Sequence, residues 1–488
     1  MRSSPKVKFL VGDVRKVIRK IPDNSIQCVV TSPPYFNLRD YETDPLIWGG
    51  EPDCDHDWGD EKIKKNTPQR DHDGPNSFGD TRGQEPWREG TELKASQGRF
   101  CSKCDAWLGS LGNEPSIDMY VDHIVSISKE FHRVLRDDGV YWLNLGDSYD
   151  DNNSLVGMPW LVAFALKDSG WDVKSEVIEG WELSDEIIWE KPNPTPESTT
   201  NRPARSHENI FMLTKSRTAQ YWVNFRKEKG SRTKPDPDYI YIHRKTEEER
   251  EDPPRDMENW KRRNLWSGHK HYFDMDAVRE PFKSDDTSPR KTGTIPNSTR
   301  TDRHQGREFF GNPSGRNVRT VWKFPVAKFP GTHFAVFPPE LPRKCILSSS
   351  SHQACPHCGA PWVRKIEREE EYRSYSAMAG NFDNQGKWKA EKAPKKSMYV
   401  NEDRDIRWGP VSITRTVGWI PTCDCPNNDG SGRSLVLDPF GGSGTTGVVA
   451  YNLGRDCILI DLKREYAEMA ARRLKKEGDY RTGLGEFE

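Results

Sequence analysis

Apolar positions fall into blocks separated by long polar stretches, and the blocks alternate between a strand-like and a helical period. Val7 to Val11 is a short apolar run ended by Gly12-Asp13. Val14 to Ile21 then has the spacing of about two helical turns before Pro22-Asp23-Asn24-Ser25 breaks it. Ile26 to Val30 is a run of the buried-strand kind. It stops at Thr31-Ser32-Pro33-Pro34-Tyr35, where two prolines end ladder pairing and make the loop rigid. Ile117, Tyr120, Val121, Ile124, Ile127, Phe131, Val134 and Leu135 repeat at helical spacing and lead into a strand at 140–145. A helix follows at 159–169, with strands at 186–190 and 209–213. The chain closes with a strand at 435–438, a Gly-rich loop at 439–446, a helix to Leu453, a strand at 457–461 and a helix at 465–475. Helix and strand alternating in this way predict an α/β fold built on a parallel sheet.

The polar stretches change that picture. Residues 42–115 and 352–433 lack a sustained period, so something other than a core must organise them. Residues 192–320 are loop-rich. Within them, 201–320 hold 26 Lys+Arg against 18 Asp+Glu, while the rest of the chain holds 48 against 57. A basic middle between acidic flanks suits a polyanionic partner, and equally fits a solvated segment. Arg202, Arg205, Lys215, Arg217, Arg226, Lys227, Lys261, Arg262 and Arg263 are interleaved there with Tyr221, Trp222, Trp260 and Trp266, residue types that serve phosphates and exposed bases. None is singled out as a reader of sequence. At 488 residues, two or three folding units are expected. No stretch approaches the roughly 20 apolar residues of a bilayer span and the N-terminus has no apolar signal core, so a membrane or secreted protein is disfavoured.

Two sets of residues carry candidate chemistry. In the first, strand, Gly-rich turn, helix, strand and terminal acid run from Asp438 to Asp461, with 20 residues between Gly441 and Asp461. That spacing suits a nucleoside site with the acid on ribose hydroxyls. Asp438 before the glycines can pair with a cationic amine and would repel a pyrophosphate, which favours S-adenosylmethionine over NAD. No Gly-Lys-Ser/Thr phosphate cradle is present.

The second set is metal-binding. Cys355-Pro356-His357-Cys358 forms a knuckle that Cys423 and Cys425 complete as a four-thiolate zinc site. Cys54, His56, Cys101 and Cys104 make a second candidate, in which His72 could replace His56; both sites are closed and structural. Ten cysteines are too few for a disulfide scaffold, and this use of them fits a reducing compartment. Cys28, inside a strand, reads as a small buried residue.

Thr31-Ser32-Pro33-Pro34-Tyr35 together with Asp438-Pro439-Phe440-Gly441-Gly442-Ser443-Gly444-Thr445-Thr446 resembles the amino-methyltransferases of DNA, with the catalytic motif before the cofactor motif as in the beta class. Trp189-Glu190-Lys191-Pro192-Asn193 with His207-Glu208-Asn209, Thr332 to Pro338 with Leu341, and Gly12-Asp13 extend the likeness. The resemblance implies a Rossmann-like fold with a mixed seven-stranded sheet that brings Ser32 to Gly442. It implies that Asp438, Phe440, Gly442, Gly444 and Thr445 surround the methionine part of S-adenosylmethionine, that Asp461 holds the ribose, that Asp13 lies near adenine, and that His333 and Phe337 lie at the methionine end.

The exocyclic nitrogen of a nucleobase is a poor nucleophile because its lone pair is delocalised into the ring. Acceptors at the Ser32 hydroxyl and the Pro33 carbonyl would hold its two protons and aim the lone pair, with Tyr35 offering a stacking face to the flipped base. No Pro-Cys pair exists for attack on ring carbon. Ser at the first motif position goes mostly with cytosine N4, and Asp or Asn mainly with adenine N6.

On this reading 1–45, 116–200, 321–350 and 434–488 form the methyltransferase domain, 46–115 and 351–433 are zinc-binding insertions, and 201–320 is the target-recognition region. The expected activity is methylation of cytosine N4 in a short duplex sequence. Adenine-N6 methylation, an RNA methyltransferase and an inactive zinc-stabilised DNA-binding protein are the alternatives. Double-stranded DNA is the expected partner, the cytoplasm of a prokaryote or a phage-infected host the expected location. The family admits a homodimer and a cognate restriction endonuclease as protein partners.

Overall fold

The computed structural model describes residues 4–38, 43–66, 93–150, 152, 154–168, 180–194, 197, 199–215, 239–243, 249–250, 260–264, 271–281, 290–291, 308–309, 315–327, 337–376 and 406–478. For 63–66, 93–96, 239–264, 290–309, 368–376 and 406–414 only the backbone of the strands is described. His333, His72, Arg217, Tyr221, Trp222, Arg226, Lys227 and Trp266 lie outside the described residues.

The predicted alternation builds one large sheet. Its strands are β1 (Val7–Val11), β2 (Ile26–Thr31), β3 (Leu135–Leu145), β4 (Trp181–Glu190), β5 (His207–Lys215), β6 (Val321–Lys323), β7 (Leu435–Asp438) and β8 (Asp456–Asp461), in the spatial order β1-β8-β7-β2-β3-β5-β4-β6. The strands from β1 to β3 are parallel to one another, β5 is antiparallel to both neighbours, and β6 is parallel to β4. The mixed sheet therefore has eight strands where seven were expected, because the three-residue β6 adds to the edge. That run is too short to show a period in the sequence.

Every residue of β2 is buried, as its apolar run requires of a strand covered on both faces. The helices are α1 (Val14–Val17), α2 (Ile117–Val134), α3 (Met158–Asp168), α4 (Glu340–Ser349), α5 (Thr445–Asn452) and α6 (Arg464–Glu477). Ser116 caps α2 through the Met119 N–H, and Tyr120, Ile124, Ile127, Phe131 and Val134 form its buried stripe. The helix expected at 14–21 is α1 followed by a single 3-10 turn, Ile18–Lys20. Cys28 is fully buried at the centre of β2, and burial pushes its thiol up to about 12.

The chain divides into two units. One comprises 1–272, 320–350 and 434–488 and contains the sheet. The other comprises 273–319 and 351–433. The stretch 201–320 is thus split between them: β5, within its first residues, is a strand of the sheet flanked by neighbours on both sides. In the second unit a long antiparallel ribbon, Trp362–Ser376 against Ile406–Pro421, runs from the Cys355 knuckle, and Arg364 pairs with the buried Asp274 at 2.8 Å. No described helix is long and apolar enough to cross a membrane.

Candidate active site

Parallel strands present their carboxyl ends along one edge, where ligands of open α/β sheets bind. Gly12-Asp13 follows β1, Ser32 follows β2, Asp438 ends β7 and Asp461 ends β8. β2 and β7 are neighbours, with Cys28 opposite Val436 and Val29 opposite Leu437. Four hundred residues of intervening chain are thereby closed, and the Thr31 hydroxyl donates to Asp438 Oδ1 at 2.7 Å. The two motifs meet as expected.

The Gly-rich loop is fixed from three sides. Gly441 N–H donates to the Ile460 carbonyl at 2.8 Å, and Gly442 N–H to Asp461 Oδ2 at 2.9 Å. Gly444 has φ 77°, and a Cβ there would lie 2.5 Å from the Cβ of Ala470 on α6. Only glycine suits that position. Arg473 on α6 donates to Thr445 Oγ1 at 2.7 Å and Ser443 Oγ at 3.1 Å, a brace that no local motif announced.

Asp461 takes one N–H on each carboxylate oxygen, from Gly442 and Lys463, leaving acceptor capacity for the hydroxyls of a nucleoside. Asp13 caps α1 and pairs with Arg15 at 2.7 Å, and the Arg15 guanidinium lies over Trp48. Phe440 is partly buried against the main core, and Phe337 is half-buried just before α4.

Asp438 has a structural role that its sequence reading did not include. It is 1% exposed, and its carboxylate accepts from Thr31, from Thr446 at 2.6 Å and from the Phe440 N–H at 3.2 Å. Among the described residues its Oδ2 accepts from Thr446 alone, so one acceptor position remains on this buried carboxylate. As the structure stands, Asp438 ties the Ser32 loop to the Gly-rich loop. Burial pushes both acids up, Asp438 to about 6 against its two threonine hydrogen bonds, and Asp461 likewise to about 6.

The Ser-Pro-Pro-Tyr loop is pinned by Tyr120 of α2, whose hydroxyl donates to the Pro34 carbonyl at 2.8 Å, and Pro33 is buried. Gly146 after β3 makes room for the Tyr35 ring, since a Cβ there would sit 2.6 Å from it. The Ser32 hydroxyl donates to Tyr35 Oη at 2.9 Å, and Tyr35 donates to Glu208 Oε2 at 2.8 Å. Asn144 Nδ2 donates to Tyr35 Oη at 2.7 Å and to Glu208 Oε2 at 2.8 Å, while Lys191 pairs with Glu208 Oε1. Tyr35 thus has a hydroxyl role beside the stacking face expected of it. Asn144 and Glu208 lie on β3 and β5 and Lys191 directly follows β4, and only the likeness of the stretches around Lys191 and Glu208 hinted at them.

Both metal clusters form. In each, one ligand atom per residue lies within 4.8 Å of the others: Cys54, His56, Cys101 and Cys104 in the first, Cys355, Cys358, Cys423 and Cys425 in the second. The Sγ atoms of Cys54 and Cys101 are 3.9 Å apart, near the edge of about 3.8 Å of a tetrahedron with Zn–S bonds of about 2.3 Å. His56 presents Nδ1, 3.4 Å from Cys104 Sγ. Backbone N–H groups of Lys103 and His357 approach Cys101 and Cys355 Sγ at 3.4 Å, as knuckles do. The residues present fit zinc.

Of the basic residues, Arg202 pairs with Glu197, Arg205 with Asp147 and Lys215 with Asp137, so each is engaged within the sheet unit.

The DNA methylase family N6_N4_Mtase matches residues 26–354 and 427–472. Two relatives are Type II methyltransferases: M.SmaI of Serratia marcescens, 24% identical over 96% of this chain and 90% of its own, and M.Cfr9I of Citrobacter freundii, 24% identical over 96% and 87%. Among solved structures, the PvuII DNA methyltransferase (cytosine-N4-specific) aligns over 96% of this chain and 89% of its own at 12% identity, with a TM-score of 0.41. The family match includes the Ser32 loop and the Gly-rich loop that β2 and β7 bring together, and the chain belongs to the N6/N4 family of DNA methylases.

Proposed function

We propose that the chain is the methyltransferase of a Type II modification system, moving a methyl group from S-adenosylmethionine to the N4 amino group of cytosine in duplex DNA. The observation that carries the reading is the direction of the hydrogen bond at Ser32. Its single proton goes to Tyr35, so toward a ligand the hydroxyl is an acceptor, as an exocyclic amine requires. Ser32 and the Pro33 carbonyl hold the two amine protons, and Tyr35 supports the flipped base. Bound at the Gly-rich loop and Asp461, the cofactor supplies an electrophilic methyl carbon. Asp13, Phe337, Phe440, Gly442, Gly444 and Thr445 line its place, with His333 assigned by resemblance, and Asp438 keeps the loop shut against β2. Serine at the motif's first position favours cytosine over adenine.

Both cysteine clusters carry structural zinc on this reading. On this reading the protein works in the cytoplasm on double-stranded DNA, and a second copy of the chain and a cognate restriction endonuclease are the protein partners the family admits. The test incubates the protein with methyl-labelled S-adenosylmethionine and unmethylated genomic DNA, then identifies the methylated nucleoside by mass spectrometry. N4-methylcytosine is expected. N6-methyladenine would overturn the base assignment, and label in RNA alone would overturn the substrate.

A further inference from the structure

Methylation of an amine leaves one proton too many on nitrogen, and the site must dispose of it. The N–C bond forms as the C–S bond of the donor breaks, with the electron pair staying on sulfur. The sulfonium's positive charge moves to the amine nitrogen. From Ser32 a directional chain of hydrogen bonds leads away from the ligand side: Ser32 Oγ to Tyr35 Oη at 2.9 Å, then Tyr35 Oη to Glu208 Oε2 at 2.8 Å. Every donor in it already points toward Glu208. The acid stands at the start of β5, where Glu208 is opposite Trp189 of β4 and its neighbour Asn209 is opposite Leu145 of β3. Its two oxygens accept from Tyr35, Asn144 and Lys191. All three groups approach as donors, so Glu208 is the acceptor at the end of the chain. Lys191 also lies over the Trp189 ring, which keeps the ammonium in place.

We propose that Tyr35 and Glu208 are the exit route for the proton released by the methylated amine. The amine proton passes to Ser32 Oγ as the serine proton passes to Tyr35 Oη and the tyrosine proton to Glu208 Oε2. Glu208 ends neutral beside a charged Lys191, and the methylated base ends neutral. The role of Tyr35 is then carried by its hydroxyl as well as by its ring, and Lys191 and Asn144 are positioning residues that hold Glu208 on the line. This rests on the methyl-transfer reading above.

The experiment uses the full chain, in excess over unmethylated DNA, with methyl-labelled S-adenosylmethionine, and follows a single turnover against pH in H₂O and D₂O. Tyr35→Phe keeps the stacking ring and removes the relay. It should slow transfer about 100-fold, the low end for a lost proton-transfer partner, with cofactor and DNA binding unchanged and the solvent isotope effect gone. Glu208→Gln, which cannot take up the proton, should slow transfer to a similar degree, and Glu208→Asp should restore part of the rate. A Tyr35→Phe rate within threefold of wild type with the same pH profile and isotope effect overturns the relay while leaving the transferase intact. A wild-type protein that moves no label overturns the transferase reading itself.

Discussion

The two cysteine clusters share a Cys-x-x-Cys knuckle followed by a tryptophan, yet their surroundings differ. After Cys104 the chain buries Ala106 completely and Trp107 to 1% exposure. Trp107 belongs to the main hydrophobic core, with Trp48 from the facing strand of the same insertion and His123 of α2 stacked against both rings. After Cys358 the corresponding Trp362 is half-buried, and its indole N–H goes to Asn428 Oδ1 at 3.1 Å. The ribbon it begins leaves Ile366, Val417 and Ile420 between 43% and 49% exposed. One knuckle is an appendage of a core and the other stands in for one. Similar knuckles therefore carry different shares of local stability.

Metal removal should show the largest contrast. Zinc in small finger domains is worth about 10–16 kcal/mol of apparent binding free energy, which in such domains is also folding energy. Stripping with a strong chelator should abolish hydrogen-exchange protection across 354–367 and 415–432, while protection at 107–109 and in β2 persists. Equal loss at both clusters would break the distinction.

Next in size are the two tryptophans. Trp107→Ala should lower unfolding stability by about 3–5 kcal/mol in a urea titration, the range for a large aromatic removed from a core. Trp362→Ala should cost about 1 kcal/mol and leave the sheet unit's transition in place. The reverse order would mean that the second knuckle has a core after all.

The smallest effect tests whether either metal reaches the cofactor end of the sheet. Asp438 and Asp461 titrate at about 6 when folded, above the ordinary carboxylate range, because burial disfavours their charge. Without ligand, the folded chain holds more protons than the unfolded one between about pH 4 and 6, so these groups' contribution to stability is lost as pH rises through 6. A cofactor that needs the Asp461 carboxylate should bind about fivefold more weakly at pH 5 than at pH 6, by calorimetry. Zinc-stripped protein should follow the same curve, and a shifted curve would couple cluster to cofactor.

Much of this was legible in the sequence because its signals are local. Cysteine spacing named both clusters, and the strand, Gly-rich loop, helix and strand that end at Asp461 were readable as local periods. The Pro-Pro pair marked where β2 stops. What stayed hidden depends on through-space assembly. Asn144, Lys191 and Glu208 are ordinary residues on or just after three strands until the sheet order makes them neighbours. Arg473 is one of several cations on a polar helix until it reaches Thr445. Asp438 was recognised from its neighbours in the chain, and its tie to the Ser32 loop follows from Thr31, 407 residues away. The three residues of β6 had no length in which to show a period.

The reversed direction of β5 has a mechanical consequence. Parallel strands reach the ligand edge with their last residues and then enter loops, but an antiparallel strand begins there, so Glu208 is paired with β4 and the next residue, Asn209, is already paired with β3 as well. With Ser32 on a proline-stiffened turn and Glu208 on this fixed post, the protein side has little travel left. The nucleobase must do the moving, and the work of extracting it falls on the double helix. A target opposite a mismatch, already loosened from its stack, should then be captured more readily than the same base in a perfect duplex.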